Sequence, residues 1–133
     1  MILGIDHVTI NVMDLAGTLR FYGDLLGLSP LPGADMGDHE LRYFALPGGA
    51  KLELVTYHYP TENHGQNATD QGRARHLAFE VEDVYDTEKK LIEAGFPFHV
   101  PVSFVEKLGF YGGLTRDPNG FEVEFLQYPK EHS

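Results

Sequence analysis

The sequence predicts an α+β fold in which two βαβββ modules form a curved mixed sheet, with the helices on its convex side. Three observations predict it. The same order of strand, helix and hairpin signals occurs twice along 133 residues. A histidine opens the first strand of each copy, and a glutamate follows 46 residues after His7 and 48 residues after His76. The turn before each glutamate also has the same position, because Glu53 and Glu124 both lie six residues after a proline.

The first module covers about residues 3–57. Apolar and polar residues alternate over 5–12, as in a half-buried strand. Asp14 is a typical helix N-cap and Gly27 a typical helix end. Between them, apolar residues recur at helical spacing: Leu15, Leu19, Tyr22, Leu25 and Leu26. The turn at Pro47-Gly48-Gly49 then predicts a hairpin that leads into Glu53.

The second module covers about residues 75–128 and repeats these signals. A strand over 75–81 precedes Asp83, the second predicted N-cap, and Gly95 ends the second helix. Pro118-Asn119-Gly120 predicts the closing hairpin before Glu124. The two frames begin 69 residues apart, which is short for two independent domains. We therefore expect one domain over 1–133, with residues 58–74 as a polar linker.

Composition limits the function. Twenty acidic and ten basic residues give a net charge of −10, which opposes binding to nucleic acid or anionic lipid. The absence of cysteine excludes disulfides and thiolate chemistry and is compatible with a reducing cytoplasm, the location we expect. No apolar run is long enough to cross a membrane. These features predict a small-molecule partner.

The repeated histidine and glutamate positions predict a metal site. Because side chains alternate along a strand, Glu53 between Leu52 and Leu54 points away from those leucines, and Glu124 lies likewise between Val123 and Phe125. If the leucines face the helices, His7, Glu53, His76 and Glu124 converge on the concave side. Nitrogen and oxygen ligands without sulfur suit Zn, Ni, Co, Fe(II) or Mn. Four ligands leave open positions for substrate on a six-coordinate ion.

Taken singly, these residues have simpler interpretations. A histidine at a strand start is most often a surface residue, and a glutamate between apolar residues most often marks the solvent side of a strand. For the other five histidines we prefer the structural interpretation, since they lie in polar or loop surroundings: His39, His58, His64, His99 and His132. The agreement between the two copies favours the metal hypothesis for His7 and His76.

Motifs over about residues 3–128 resemble the vicinal oxygen chelate superfamily, which includes glyoxalase I, methylmalonyl-CoA epimerase, extradiol dioxygenases and fosfomycin-resistance proteins. The first-half motifs are His7-Val8, Asp14-Leu15, Phe21-Tyr22 and Leu25-Leu26-Gly27-Leu28. Those of the second half are Arg75-His76-Leu77-Ala78-Phe79-Glu80-Val81 and Asp117-Pro118-Asn119-Gly120-Phe121-Glu122-Val123-Glu124.

The ligand order His, Glu, His, Glu resembles glyoxalase I (lactoylglutathione lyase) of the short bacterial type. This resemblance implies a lyase or isomerase with one divalent ion per site, most often Ni, Co or Zn, that stabilises an enediolate of an α-hydroxycarbonyl or hemithioacetal. It names Glu53 and Glu124 as alternative bases and implies a homodimer. Whether one chain or two supplies the ligands stays open, because superfamily members pair their modules in both ways.

Three other functions are alternatives to the glyoxalase I interpretation. A metal-dependent epimerase usually has Gln at the second ligand position, where this chain has Glu53. An extradiol-type dioxygenase or thiol transferase would need only His7, His76 and Glu124. A non-catalytic drug-binding protein typically lacks the metal ligands altogether.

By strand parity, Thr9, Asn11 and Tyr57 are predicted to line the substrate pocket. Glyoxalase I has Arg four residues after its first His and Asn four residues after its first Glu, and both bind the glutathione γ-glutamyl group. Here these positions hold Asn11 and Tyr57. Neutral groups bind a carboxylate less strongly than Arg does, so the resemblance leaves the use of glutathione open. Lys107 to Gly113 is predicted to be a loop covering the site.

Overall fold

Each half of the chain begins with a strand that opens on a histidine. The computed structural model describes residues 1–62, 69 and 74–130. It divides the chain into two compact units, Met1–His64 and Gly65–Ser133.

The first unit is a four-stranded sheet with one helical segment. Its strands are β1 (His7–Asn11), β2 (Pro30–Asp35), β3 (His39–Ala45) and β4 (Lys51–Tyr57), and helix α1 (Leu15–Leu19) continues as a π-helical segment, Arg20–Leu25. The strand order is β1-β4-β3-β2. Strand β1 is parallel to β4, and the other neighbours are antiparallel. This is one βαβββ module.

Local interactions explain where the first helical segment begins and ends. The Asp14 carboxylate accepts a hydrogen bond from the Gly17 backbone N–H at 3.0 Å, as an N-cap does. Gly27, at φ +75°, ends the segment in the left-handed conformation that favours glycine. Both residues act as the sequence predicts.

The core of the first unit shows which face of the sheet the helical segment covers. Leu52 and Leu54 are fully buried. The Phe44 ring lies on the same face, since Phe44 pairs with Leu52, and it closely approaches the helical backbone at Gly23. The predicted direction of the leucines is therefore confirmed, and Glu53 lies on the opposite face.

The second unit repeats this topology. Its strands are β5 (His76–Glu80), β6 (Phe98–Val105), β7 (Phe110–Arg116) and β8 (Glu122–Gln127), and its helix is α2 (Val84–Glu93). The strand order is β5-β8-β7-β6, with β5 parallel to β8. Register shifts interrupt the β2–β3 pair and the β6–β7 pair at corresponding places.

Helix α2 is fixed to its sheet by packing and by polar contacts. The Asp83 carboxylate caps the helix by accepting from the Asp86 N–H at 3.0 Å, and the Gln127 side chain accepts from the Val84 N–H at 2.9 Å. The helix contacts β6, β7 and β8. Apolar residues of the helix and of β8 are fully or almost fully buried: Val84, Leu91, Val123 and Phe125. Glu124 therefore also lies on the face away from its helix.

The α+β class and the two βαβββ modules are confirmed, with each module forming its own four-stranded mixed sheet. That the modules form one domain over 1–133 stays a prediction, since most of the linker 58–74 lies outside the described residues. The predicted covering loop is wrong for Phe110–Gly113, because these residues lie in strand β7, where Phe110 pairs with Val105 of β6 and Tyr111–Gly113 pair with β8. In the described part of the chain, no helix is long and apolar enough to span a bilayer.

Candidate metal centre

Strand pairing brings one histidine and one glutamate together in each unit. In the first unit, Thr9 pairs with Glu53 in the parallel β1–β4 ladder. His7 lies two residues before Thr9 and therefore on the same face. The His7 Nε2 atom is 3.8 Å from the Glu53 Oε1 atom. The second unit repeats this arrangement, with 3.7 Å between His76 Nε2 and Glu124 Oε1.

Glu53 is held by two hydroxyl groups. The Thr9 hydroxyl donates to its Oε1 at 2.9 Å, and the Tyr43 hydroxyl donates to its Oε2 at 2.5 Å. The Tyr43 hydrogen bond, then that of Thr9 and the charge of His7, lower the pKa of Glu53 against the opposing effects of burial and Asp6. Glu53 in turn raises the pKa of Tyr43. Glu53 is thus an ionised carboxylate, and each of its two oxygens accepts one hydrogen bond.

Glu124 has a different environment. Its neighbours across the sheet are Ala78 on β5 and Leu114 on β7, which replace Thr9 and Tyr43 of the first unit. Among the described residues, no hydroxyl donates to Glu124, and its partner there is His76. Its side chain is 21% exposed, against 12% for Glu53. Glu124 thus has fewer hydrogen-bond donors than Glu53 in the described part of the chain, and its side chain is more exposed.

The other nitrogen of each histidine faces a carboxylate. His7 Nδ1 is 2.7 Å from Asp6, which also lies 3.6 Å from Lys51. The contact with His7, followed by the charge of Lys51, lowers the pKa of Asp6. His76 Nδ1 is 3.2 Å from Glu122. A carboxylate on Nδ1 orients a histidine ring so that Nε2 points to a metal.

Glu122 contacts three basic or imidazole side chains of the second unit. Besides His76, it is 2.9 Å from His99 Nε2 and 3.6 Å from Arg75 Nε. Burial, the largest influence, raises its pKa, but the contacts with His99 and His76 and the charge of Arg75 together outweigh burial and lower it. Glu122 is therefore an ionised carboxylate with a side chain only 13% exposed.

The chemistry and spacing of the two pairs suit a divalent cation. Nitrogen and oxygen ligands lie about 2.0–2.2 Å from such an ion, so two of them lie about 3–4 Å from each other. Within residues 1–62, 69 and 74–130, however, no three or more His, Asp and Glu side chains form a group that could hold a metal ion. The structure thus brings the predicted ligands together as two pairs, one in each unit.

The three predicted substrate-binding residues lie on the same face of the first sheet as Glu53. The Thr9 hydroxyl donates a hydrogen bond to Glu53. Asn11 is exposed and pairs with Val55. The Tyr57 ring lies between two other rings, 5.5 Å from that of His39 and 5.2 Å from that of Tyr59.

Sequence reasoning missed three residues that contact the pairs directly, Asp6, Tyr43 and Glu122, and it also missed His99, which contacts Glu122. Tyr43 had a readable signal, because a hairpin centred on Gly48 places residues 43 and 53 opposite each other. His99 was assigned to polar or loop surroundings, whereas it lies in strand β6 and contacts Glu122. Of the other histidines, His64 and His132 lie outside the described residues.

Comparison with known proteins agrees with this fold and these motifs. A family model of the glyoxalase/bleomycin resistance protein/dioxygenase superfamily matches residues 4–125. A probable lactoylglutathione lyase of Synechocystis is 29% identical over 122 residues, which cover 91% of this chain and 92% of that protein.

Solved structures are similar over comparable lengths. A glyoxylase/bleomycin resistance protein/dioxygenase domain from Frankia has a TM-score of 0.78 at 25% identity, covering 99% of this chain and 96% of that one. The trypanothione-dependent glyoxalase I of Leishmania major has a TM-score of 0.72 at 25% identity, with 93% and 86% covered. The resemblance in the sequence motifs is confirmed: the chain belongs to the glyoxalase/bleomycin resistance protein/dioxygenase superfamily.

Proposed function

We propose that the protein is a divalent-metal-dependent lyase or isomerase of the glyoxalase I type that acts on an α-hydroxycarbonyl or a hemithioacetal. The observation that carries this proposal is the repeated pair of His Nε2 and Glu Oε1 atoms, 3.8 Å apart in the first unit and 3.7 Å apart in the second. Relatives named lactoylglutathione lyase support the same class of reaction.

His7, Glu53, His76 and Glu124 would hold one divalent ion, with Ni, Co or Zn preferred and Fe(II) or Mn compatible with the ligands. When bound, the ion supplies Lewis-acid stabilisation of negative charge on the substrate oxygens. The two pairs come either from one chain or from two chains of the proposed homodimer.

The environments of the two glutamates assign their roles within this proposal. The hydrogen bonds that Tyr43 and Thr9 donate to Glu53 favour its ionised form and so oppose the uptake of a proton. Glu124 has no such hydroxyl donor among the described residues. The lowered pKa of Glu53 makes it a weaker base than an ordinary glutamate. We therefore assign the base to Glu124 and a fixed ligand role to Glu53.

Two protons move in this isomerisation. Glu124 removes the proton from the carbon that carries the hydroxyl group, and the C–H electron pair moves toward the neighbouring carbonyl oxygen. Glu124 then returns this proton to the former carbonyl carbon, while the proton of the substrate hydroxyl group passes to the former carbonyl oxygen, so that the hydroxyl carbon becomes the new carbonyl carbon. The result is an isomerisation that consumes no oxidant, reductant or water.

The side chains of Asn11 and Tyr57 indicate what kind of substrate the site could bind. Neither carries the positive charge that would bind a carboxylate strongly. Tyr57 instead offers a ring supported by His39 and Tyr59 on the face of the sheet that carries Glu53. We propose that Thr9, Asn11 and Tyr57 border the substrate, and that its tail beyond the reacting carbons is bound by ring contacts and neutral hydrogen bonds.

The test is a substrate panel with metal-loaded and chelator-treated protein. The panel contains hemithioacetals of methylglyoxal with glutathione and with uncharged thiols, and catechols with oxygen uptake measured. We expect isomerisation of a hemithioacetal that chelation abolishes and added metal restores. Oxygen uptake with catechol would instead identify a dioxygenase, and tight ligand binding with no turnover and no metal affinity would identify a binding protein.

A further inference from the structure

Three basic or imidazole side chains converge on one shielded carboxylate in the second unit. Glu122 lies opposite His76 in the β5–β8 ladder and on the same face as Glu124. It contacts His76 Nδ1, His99 Nε2 and Arg75 Nε at 3.2, 2.9 and 3.6 Å. An exposed ion pair contributes little to stability, but a carboxylate shielded from water and shared by three donors holds their geometry more strongly.

The chemistry of the carboxylate fixes the proton on the histidine. An ionised carboxylate only accepts hydrogen bonds, and Glu is ionised at neutral pH. The Nδ1 atom of His76 must therefore donate to Glu122, which places the lone pair of the neutral ring on Nε2. That atom is the one that lies 3.7 Å from Glu124.

We propose that Glu122 is a positioning residue that holds His76 in the Nδ1–H tautomer, with Nε2 presented as a metal ligand beside Glu124. The metal part of this inference rests on the proposed function. The tautomer part rests only on the contacts of Glu122.

The first unit supports the inference because its histidine also has a carboxylate at Nδ1, although the acidic and the basic residue occupy exchanged positions. There the carboxylate is Asp6, directly before His7, and the base is Lys51, opposite His7 in the ladder. In the second unit the base, Arg75, precedes the histidine and the carboxylate lies opposite it. Both histidines thus present a carboxylate to Nδ1, but Asp6 is 73% exposed and Glu122 only 13%.

The experiment compares Glu122→Gln with two controls by histidine ¹⁵N NMR of metal-free protein and by Zn²⁺ titration. Glu122→Gln keeps the shape of the side chain, but the amide can present either its carbonyl oxygen, an acceptor, or its NH2 group, a donor, to His76. Glu93→Gln removes one negative charge from the exposed end of α2, and Asp6→Asn removes the exposed carboxylate of the first unit. A His76→Gln spectrum assigns the His76 signals.

We expect a single Nδ1–H tautomer of His76 in the wild type and in Glu93→Gln, and a mixture of tautomers in Glu122→Gln. Zn²⁺ affinity should fall about 10- to 100-fold in Glu122→Gln, more than in Asp6→Asn, and stay unchanged in Glu93→Gln. An unchanged His76 tautomer in Glu122→Gln would overturn the inference. A tautomer shift in a protein whose wild type binds no metal would support the positioning role of Glu122 and reject the proposed function.

Discussion

The two units share a topology and differ in how each glutamate is held. In the first unit the residues opposite Glu53 are Thr9 and Tyr43, and both donate hydroxyl hydrogen bonds to it. In the second unit, Ala78 and Leu114 take the corresponding places beside Glu124. The repeat has therefore kept one histidine and one glutamate per unit while their surroundings diverged. On this difference rests the proposal that Glu53 is a fixed ligand and Glu124 the base.

The largest effect is expected for the base. At saturating metal, Glu124→Gln should lower kcat about 10²- to 10⁴-fold, because an amide cannot take up the proton. Glu53→Gln should lower kcat less, since the proposal gives Glu53 a ligand role and no proton transfer. Turnover of a hemithioacetal, with the metal content measured on the same samples, compares the two variants. A greater loss of kcat in Glu53→Gln at full metal occupancy would indicate that Glu53 is the base and Glu124 the fixed ligand.

The next effect concerns the hydroxyl that holds Glu53. Tyr43→Phe removes the hydrogen bond to Glu53 Oε2 and leaves the ring in place. We expect a loss of metal affinity of about tenfold, as for other groups that orient a ligand. Tyr128→Phe is the matched control, because Tyr128 is half exposed and lies in the second unit. Calorimetric titration with Zn²⁺ measures the metal affinity of both variants. Equal affinities would show that Tyr43 does not contribute to the metal site.

The same hydrogen bond gives stability a pH dependence. The pKa of Glu53 is lowered in the folded protein, so its interaction with Tyr43 stabilises the fold above the unfolded pKa, about 4.3. This contribution is lost as the pH falls through the lower folded pKa. In metal-free protein, the wild type should therefore lose more stability between pH 7 and acid pH than Tyr43→Phe does. Urea unfolding midpoints across this range measure it, and parallel curves would contradict the assignment.

The smallest effect concerns a feature that the two units share. Asp83→Ala removes the N-cap of α2 and should destabilise the protein by about 1 kcal/mol, without changing metal affinity. Denaturant unfolding and a Zn²⁺ titration on the same sample check both statements. A large loss of metal affinity would show that the cap of α2, and with it the placement of β8, controls Glu124.

The repeated signals predicted the fold because each is local. Asp14 and Asp83 cap helices, Gly27 and Gly95 end them at positive φ, and Gly49 and Gly120 take positive φ in the hairpins. Alternation in β4 and β8 likewise gave the direction of the glutamates, since it requires only the burial of their apolar neighbours.

The environment of the site was harder to predict because it depends on pairing between distant strands. The contact of Glu122 with His76 requires the parallel register of β5 and β8, which joins residues 46 positions apart. The contact with His99 depends also on β6, whose pairing with β7 is interrupted by register shifts. No turn marks the parallel β5–β8 register, and a register shift in β6 lies between the β6–β7 turn at Gly109 and His99. The sequence therefore did not predict that the acid precedes the histidine and the base lies opposite it in the first unit, whereas these positions are exchanged in the second.

The most direct measurement counts the metal ions bound by metal-free wild type, His7→Gln and His76→Gln in a calorimetric titration. If the two pairs share one ion, the wild type binds one ion per set of four ligands. Each substitution, in either unit, then weakens that whole binding event at least tenfold. No binding by the wild type would contradict the shared site. So would two independent ions, of which each variant loses only one.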